Sequence, residues 1–396
     1  MKRLAAAALI ASLATLVGAA VRSAHGAALG SKGRIVYTRQ DPYDGGRGQL
    51  YLANADGTGL VALTTTGYGA NNSQPAWSPN GSRIAFESNR RGDTDLWTIA
   101  PDASGLKELT FSLGFDGDPT WDPTGSKIAF ETNRNGNFDV YVINADGSGQ
   151  RRLTTDPAND TDPAWSPDGT TIAFTSDRSG SRQIWTMRTD GSNPQQLTNA
   201  ANIGGENPAW SPRGGQIAFD SDRGDRGNLE IWTMSSDGSN EQQVTDTPAL
   251  DALPAYSPNG QSIVFESDRG AKNNRDLYVT DVQGGDQHRL FADSRYWDVA
   301  PSWGPMSGSS KCTITGTIHG DTIVGTPGND VICGGAGDDV LRGGGGSDTL
   351  LGGAGNDLLF AKDGRLDVVN GGPGHDVAFL DRGLDKATSV EQKRYR

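Results

Sequence analysis

The sequence predicts an all-β protein in which a six-bladed β-propeller over residues 33–306 precedes a short parallel β-roll over residues 316–383. Three observations lead to this prediction. A proline–aromatic element recurs six times at intervals of 44 to 47 residues, and a glycine–aspartate pattern with a period of nine follows it. The composition agrees, because 55 glycines and 19 prolines in 396 residues favour turns and short strands over long helices.

The first 26 residues have the pattern of a signal peptide. Lys2 and Arg3 precede an apolar run, and the small residues Ala24 and Gly26 permit cleavage before Ala27, although cleavage near Ala19 is also compatible. An uncleaved anchor is the alternative, but the run is shorter than the about 20 residues that a membrane span needs. We therefore expect a secreted, extracellular protein without a transmembrane segment in its mature chain.

The period of the first repeat is that of one four-stranded propeller blade. Within each repeat an apolar strand of the Ile-Ala-Phe type follows the proline–aromatic element, and hairpin signals such as Asp146-Gly147 separate the later strands. The recurring aromatic residues are Trp77, Trp121, Trp165, Trp210, Tyr256 and Trp303.

The two ends of this region are incomplete in complementary ways. The strands around Ile35 and Leu50 lack a preceding proline–aromatic element, whereas Trp303 lacks the strands that should follow it. A C-terminal strand would therefore complete the N-terminal blade, which closes the ring at six blades and removes exposed sheet edges. Phe86, Phe130 and Phe174 should then pack between blades.

These repeats resemble the WD40-like (PD40) β-propeller repeats of the TolB type. The resemblance implies a six-bladed propeller that serves as an interaction platform for a protein or cell-envelope partner. TolB proteins also carry an N-terminal α/β domain for which this sequence shows no signal, so a role in the Tol–Pal system does not follow. Related propellers precede hydrolase domains, but no Gly-x-Ser-x-Gly element occurs here and no catalytic residue is predicted.

Two sets of polar residues recur with the blades. An arginine follows each Ile-Ala-Phe-type strand, and an acid or amide on the next strand is its expected partner in an ion pair or an arginine-to-carbonyl bond. The arginines are Arg90, Arg134, Arg178, Arg223 and Arg269, and the expected partners are Asp95, Asp139, Gln183, Glu230 and Asp276.

The second set precedes the proline–aromatic elements by three residues, with one gap at Gly205 that Glu206 adjoins. Its members are Asn72, Asp116, Asp160, Glu206, Asp251 and Asp298. They either cap loops through their side chains or converge on the channel mouth, where like charges would need a cation or a polar ligand. The second interpretation makes them the candidate site of the propeller.

A linker at 307–315 leads to the nine-residue repeat. Each unit has glycines at its first, second and fourth positions, an aspartate at the sixth and an apolar residue at the eighth, with some departures. The aspartates are Asp321, Asp330, Asp339, Asp348, Asp357 and Asp376, and the apolar residues are Ile323, Ile332, Leu341, Leu350, Leu359 and Val369. Two units should form one coil, so that the apolar side chains point inward and each aspartate lies above its equivalent one coil earlier. A glycine-rich linker is the alternative, which the regular apolar position disfavours.

This pattern resembles the RTX calcium-binding nonapeptide repeats. Calcium takes six to eight hard oxygen ligands, which the six aspartates and the carbonyls of the leading glycines can supply together. The leading glycines are Gly334, Gly343, Gly352 and Gly371, and the aspartate pairs are 321/339, 330/348, 339/357 and 357/376. The unit 361–370 has ten residues and no leading glycines, so we expect no normal site between Asp348 and Asp367.

Cys312 and Cys333 are the two cysteines of the chain. In an oxidising compartment an even pair favours a disulfide, which here would fasten the first coil of the roll, while two free thiols are the alternative. Residues 384–396 are expected to cap the roll or to form a tail.

The net charge of −13 argues against nucleic acid as a partner, because phosphate binding needs basic surfaces. The preferred hypothesis is a secreted calcium-binding protein whose propeller binds a protein or a cell-envelope component, with an adhesin-like surface component as a related possibility. The alternative is a carbohydrate-active enzyme, a lyase or glycosidase, which would need two channel carboxylates at a suitable separation.

Overall fold

The computed structural model describes residues 33–43, 46–65, 69–200, 204–224, 226–270, 274–291, 295–305, 314–316, 320–372 and 374–395. The regular secondary structure in these ranges consists of β-strands, which confirms the all-β prediction. The predicted signal peptide, Cys312 and most of the linker lie outside the described residues.

Six four-stranded antiparallel sheets form the blades of the propeller. Blade 1 contains β1 (Arg34–Gln40), β2 (Gly48–Asn54), β3 (Val61–Ala62) and β24 (Trp297–Gly304). Blade 2 contains β4 (Asn72–Trp77), β5 (Ile84–Ser88), β6 (Asp95–Ile99) and β7 (Lys107–Glu108). Blade 3 contains β8 (Asp116–Trp121), β9 (Lys127–Thr132), β10 (Asp139–Asn144) and β11 (Arg151–Arg152).

The remaining blades repeat this arrangement. Blade 4 contains β12 (Asp160–Trp165), β13 (Thr171–Ser176), β14 (Gln183–Arg188) and β15 (Gln195–Gln196). Blade 5 contains β16 (Glu206–Trp210), β17 (Gln216–Ser221), β18 (Glu230–Ser235) and β19 (Gln242–Gln243). Blade 6 contains β20 (Asp251–Tyr256), β21 (Ser262–Ser267), β22 (Asp276–Asp281) and β23 (His288–Arg289).

The ring closes as predicted, because β24 joins blade 1. It pairs antiparallel with β1, from Arg34 opposite Gly304 to Gln40 opposite Trp297. The blades are held to one another by apolar side chains: Phe86 of blade 2, fully buried, packs in one cluster with Val36 and Leu50 of blade 1. The predicted packing of Phe86, Phe130 and Phe174 as core residues is confirmed.

The innermost strand of each blade contains a bulge that decides which side chains face the ring axis. The pairing of these strands shifts by one residue at the bulge, as between Gly117 and Thr120. At the bulge one non-glycine residue per blade adopts a left-handed backbone with φ between 46° and 53°. These residues are Gln74, Asp118, Asp162, Asn207, Leu253 and Ala300. A bulge of this kind redirects a side chain out of the normal alternation of a strand.

The roll consists of two parallel five-stranded sheets. One contains β25 (Ile314–Thr315), β27 (Val331–Ala336), β29 (Thr349–Ala354), β31 (Val368–Asn370) and β33 (Lys386–Thr388). The other contains β26 (Thr322–Val324), β28 (Val340–Arg342), β30 (Leu358–Ala361), β32 (Val377–Leu380) and β34 (Gln392–Tyr395).

The core of the roll is the predicted row of apolar side chains between the sheets. Ile332, Leu341, Leu350, Leu359 and Val369 are fully buried, and Ile323 packs partly against them. The roll is longer than expected at both ends, since its strands begin at Ile314 and continue to Tyr395. Residues after 384 therefore extend both sheets, because Lys386–Thr388 pairs with Val368–Asn370 and Gln392–Tyr395 pairs with Val377–Leu380.

Candidate functional site

The position-six aspartates stack along the roll, one coil above the next. Oδ1 of Asp339 accepts a hydrogen bond from the backbone N–H of Asp321 at 2.8 Å. The same bond joins the other three predicted pairs, 330/348, 339/357 and 357/376, each at 2.9 Å. The structure thus brings together the pairs that the nine-residue period predicted.

In five aspartates of the stack the second carboxylate oxygen has no partner among the described residues. Oδ2 is buried and accepts no hydrogen bond, within the described part of the chain, in Asp339, Asp348, Asp357, Asp367 and Asp376. Buried polar atoms are nearly always paired, since an unpaired one loses its hydration without compensation. A repeated row of such atoms indicates that the site is built for a further ligand.

The leading glycine of each unit leaves room for this oxygen. A Cβ atom at Gly352 would stand 2.2 Å from Oδ2 of Asp357 and 2.4 Å from the carbonyl oxygen of Gly371. Only glycine fits there, and a carboxylate oxygen and a carbonyl oxygen from adjacent coils meet at the same place. The carbonyls of Gly334, Gly343, Gly352 and Gly371 all approach the leading glycine one coil earlier in this way.

The electrostatics of the row are unfavourable without a counter-charge. Burial, followed by repulsion from neighbouring carboxylates, raises the pKa of Asp357 to about 6 and that of Asp367 to about 7. Burial likewise raises the pKa of Asp339, Asp348 and Asp376. Stacked carboxylates with free oxygens beside peptide carbonyls are the hard donors that calcium prefers, so the residues present fit that ion.

Sequence reasoning missed how far this row extends. Oδ1 of Asp367 accepts the N–H of Asp348 at 2.8 Å, and Asp385 accepts that of Asp367 at 3.0 Å. Asp367 therefore occupies the equivalent place in the stack although its unit has an additional residue and no leading glycines. The signal was present in Val368 and Val369, which follow Asp367 with the spacing of positions seven and eight.

The predicted channel-mouth residues of the propeller lie elsewhere. Asp116, Asp160, Asp251 and Asp298 are fully buried, and each forms an ion pair with an arginine: Arg134, Arg178, Arg269 and Arg39, respectively. Asn72 accepts a hydrogen bond from Arg90 in the same way. The interpretation that these side chains converge on the channel is wrong, because they start the inner strand before its bulge.

The expected partners of the arginines also change. Arg134 binds Asp116 at 2.8 Å, whereas Asp139, its expected partner, binds Arg152 at 2.8 Å. Each arginine lies over the aromatic rings of its blade, as Arg134 does at 5.0 Å from the centre of Tyr141.

Blade 5 departs from this arrangement because Gly205 stands where the other blades have the acid or asparagine. Its arginine, Arg223, pairs with Glu241. Glu206, which adjoins the gap, is 8% exposed and pairs with Arg182 of blade 4.

The residues that line the axis follow the predicted ones by two positions, except in blade 5, where Asn207 directly follows Glu206. One end of the channel is lined by the bulge residues Gln74, Asp118, Asp162, Asn207, Leu253 and Ala300, together with the proline that follows each of them. The period pointed to the correct loop, but a sequence pattern without the bulge cannot tell which residue of the loop faces the axis.

Comparisons with known proteins agree with this architecture. Residues 112–206 and 199–313 match the TolB beta propeller domain. Four overlapping segments, 315–350, 334–365, 343–378 and 351–386, match the RTX calcium-binding nonapeptide repeat, which suggests calcium binding. No curated protein matches the chain.

Solved structures resemble the propeller. TolB from Acinetobacter baumannii is 25% identical with a TM-score of 0.61, and the alignment covers 69% of this chain and 67% of that one. A putative TolB from Agrobacterium tumefaciens is 21% identical with a TM-score of 0.52, covering 70% and 100%. Hydrazine synthase from Kuenenia stuttgartiensis is 16% identical with a TM-score of 0.57, covering 70% and 47%. The last two likenesses show the fold alone.

The described residues also bear on membrane association. They include no helix of the length and apolar character that crossing a bilayer requires.

Proposed function

Because the chain belongs to the TolB beta propeller domain family, we propose that it is a secreted protein whose propeller binds a protein or cell-envelope partner and whose roll is ordered by calcium. The observation that supports calcium binding by the roll is the row of buried aspartate oxygens without hydrogen bonds. The ligands are Asp321, Asp330, Asp339, Asp348, Asp357 and Asp376 with the carbonyls of Gly334, Gly343, Gly352 and Gly371. Asp367 and Asp385 extend the set.

Calcium acts on the roll by removing the repulsion within the row and by linking adjacent coils. A cation between two stacked carboxylates replaces the protons that their raised pKa values favour, so binding and ordering of the roll are coupled. Affinities on the order of 10⁻⁴–10⁻³ M are usual for extracellular calcium modules and suit a protein that meets calcium only after export.

The proposed export of the chain can be tested separately. The signal-peptide pattern at 1–26 implies a mature chain that starts between about Ala20 and Gly30. N-terminal sequencing of secreted material should find that start, and an intact Met1 in a membrane pellet would contradict it.

A proline- and aromatic-rich rim offers the propeller a surface for its partner. At the end of the ring opposite the bulge residues, the proline–aromatic elements surround a wide opening lined by Trp165, Trp210, Trp303, Pro167 and Pro212 among others. Rigid aromatic side chains in such openings are typical anchors of protein interfaces. The TolB-type propeller and the RTX repeats point to a non-enzymatic binding protein, and we do not favour the carbohydrate-active alternative.

A calcium titration of the full chain tests whether calcium orders the roll. The EDTA-treated protein should gain far-ultraviolet strand signal on addition of CaCl₂, while tryptophan fluorescence from the propeller changes little. Absence of any calcium-dependent change would contradict the proposal.

The proposed partner binding is tested by capture of envelope proteins. The wild-type chain should capture them, whereas Trp165→Ala or Trp210→Ala variants of unchanged melting temperature should not.

A further inference from the structure

A second group of carboxylates lies in the propeller, apart from the roll. Asp118, Glu131 and Asp162 each offer a carboxylate oxygen, and these three oxygens lie within 4.8 Å of one another. Asp118 and Asp162 belong to the inner strands β8 and β12, and Glu131 to β9, so the group lies where blades 3 and 4 meet at the axis.

The fold holds these side chains in place from several directions. The bulges give Asp118 and Asp162 left-handed backbones, with φ of 46° and 50°, and turn both toward the channel. Oε2 of Glu131 accepts the backbone N–H of Asp162 at 3.1 Å, and Oδ1 of Asp118 accepts a hydrogen bond from the side-chain amide of Gln74. The carboxylates are therefore positioned before any ligand arrives.

Two further acids near the same axis, Asp220 and Glu87, each have one carboxylate oxygen that accepts no hydrogen bond from the described residues. Asp220 is fully buried, and its Oδ2 binds the side chain of Asn207 and the backbone N–H of Leu253, both at 2.9 Å. Its Oδ1 is buried without a hydrogen bond in the described structure, as is Oε2 of Glu87. Glu87 is 9% exposed and lies beside Asp118. Buried acceptors left open in this way indicate a missing donor or cation.

The neighbouring acids show how the channel neutralises charge elsewhere. Glu266 binds Arg275, and Glu206 binds Arg182. Within the described residues no ion pair reaches Asp118, Glu131 or Asp162. Burial and the repulsion among them raise the pKa of Asp118 and of Glu131 well above the usual range.

We propose that a calcium ion binds at the propeller axis between Asp118, Glu131 and Asp162. The three oxygens lie within 4.8 Å of one another, so one cation can contact all three, and carboxylate oxygens in a site of flexible geometry are the ligands that calcium prefers. The site is independent of the roll, since no residue of the roll contributes to it.

Calcium counting on the full chain tests the site. EDTA-treated wild-type protein, Asp162→Asn and Asp118→Asn are dialysed against CaCl₂, and bound calcium is measured by mass spectrometry. Each variant should bind one ion fewer per chain than the wild type. Asp146→Asn, which removes the same charge from an exposed hairpin, should bind as many as the wild type. Equal counts in all four proteins would overturn the proposal, and would also be expected if the cluster merely shares a proton.

Thermal unfolding supplies a second readout whose sign separates a cation site from a structural role. All nine tryptophans lie between Trp77 and Trp303, so tryptophan fluorescence reports on the propeller alone. In EDTA, Asp162→Asn should melt above the wild type because it removes one repelling charge, and calcium should raise the melting temperature of the wild type but not of the variant. A variant that melts below the wild type to the same extent in EDTA and in calcium would overturn the proposal.

Discussion

At the level of single residues, an arginine, an acid and two aromatic rings recur together in the blades. In blade 4, Arg178 binds Asp160 at 2.7 Å and lies 4.9 Å from the ring centre of Trp185. A buried ion pair is stabilising only when its remaining hydrogen bonds are satisfied, and removal of one partner leaves a buried charge. The aromatic rings supply the other side of the guanidinium with a favourable surface.

Blades 3 and 6 each possess an ion pair that blade 2, as described here, lacks, and this allows a pH-dependent prediction. Asp139 and Asp276 bind Arg152 and Arg289 on the outer strand, but the equivalent residue in blade 2 is Glu108. Asp95 therefore has no arginine in that place, and burial raises its pKa to about 6.

Glu108 itself pairs with Arg91 at 2.8 Å, so the matched reference is Glu108→Gln, which also loses that pair. Relative to Glu108→Gln, we expect Glu108→Arg to stabilise the propeller by about 1 kcal/mol near pH 7.5 and by less near pH 4.5. The pKa of Asp95 is higher in the folded state than the about 3.9 of an unfolded chain, so its contribution to stability is present below about pH 4 and lost as the pH rises through 6. An arginine offsets that loss. Fluorescence-detected melting at both pH values checks the difference, with Glu108→Gln as the control for lost repulsion. Equal gains at both pH values would contradict it.

In the roll, Asp357→Asn should reduce calcium affinity by about 10- to 100-fold. Even the mutation of a residue that only hydrogen-bonds a metal ligand reduces metal affinity by about this factor. Asp357 belongs to two stacked pairs, through the N–H of Asp339 and through its own N–H to Asp376. Asp339→Asn should act similarly for the same reason. Asp338→Asn is the matched control, because Asn329 and Asn356 already occupy the equivalent position in neighbouring units. Calorimetric titration measures the affinities of the wild type and the three variants, and an unchanged affinity in Asp357→Asn would contradict the ligand assignment.

At the scale of elements, the roll and the propeller differ in how much apolar surface holds each strand. The roll buries about one apolar side chain per nine-residue unit, and its glycines lose more conformational entropy than other residues when they become ordered.

Limited proteolysis should therefore cleave the segment 320–395 in EDTA and leave it protected in calcium, while the propeller resists in both. Mass spectrometry of the fragments locates the cuts. Equal protection of the C-terminal segment in both conditions would show that the roll needs no metal.

The first coil also carries the predicted Cys312–Cys333 disulfide. Cys333 lies in β27, and Cys312 is outside the described residues, so the bridge remains a prediction. Intact mass after alkylation should show no added groups without reductant and two with it. Uptake of two alkyl groups by the non-reduced protein would exclude the bridge.

Much of this element structure was predictable because each repeat keeps its own period. The recurring Ile-Ala-Phe run identified β5 and its counterparts, and the nine-residue unit identified both the inward Leu350 and the stacked Asp348. The axial site was not predictable in the same way. A bulge moves Asp118 to the axis and leaves Asp116 against Arg134, and no local pattern separates two acids two residues apart.

At the scale of the whole molecule, blade 1 is assembled from both ends of the propeller. A chain that ends at Pro305 retains β24 and should fold without calcium. A chain that ends at Phe291 loses β24, which leaves β1 with an exposed edge and Arg39 without Asp298, and should aggregate or melt far lower. Circular dichroism and tryptophan fluorescence of the two chains compare them, and similar melting would contradict the importance of closure.

The closure of blade 1 also affects the order in which the parts of the chain fold. Arg39 and its partner Asp298 are separated by 259 residues, so β1 is made long before the strand that completes its sheet exists. Contacts between such distant residues form slowly, because a long stretch of chain must be ordered first. Ring closure is therefore expected to be the late and slow step of folding. Until it occurs, a newly made chain presents unpaired strands to its surroundings, and that interval is when it most needs protection from aggregation and proteases.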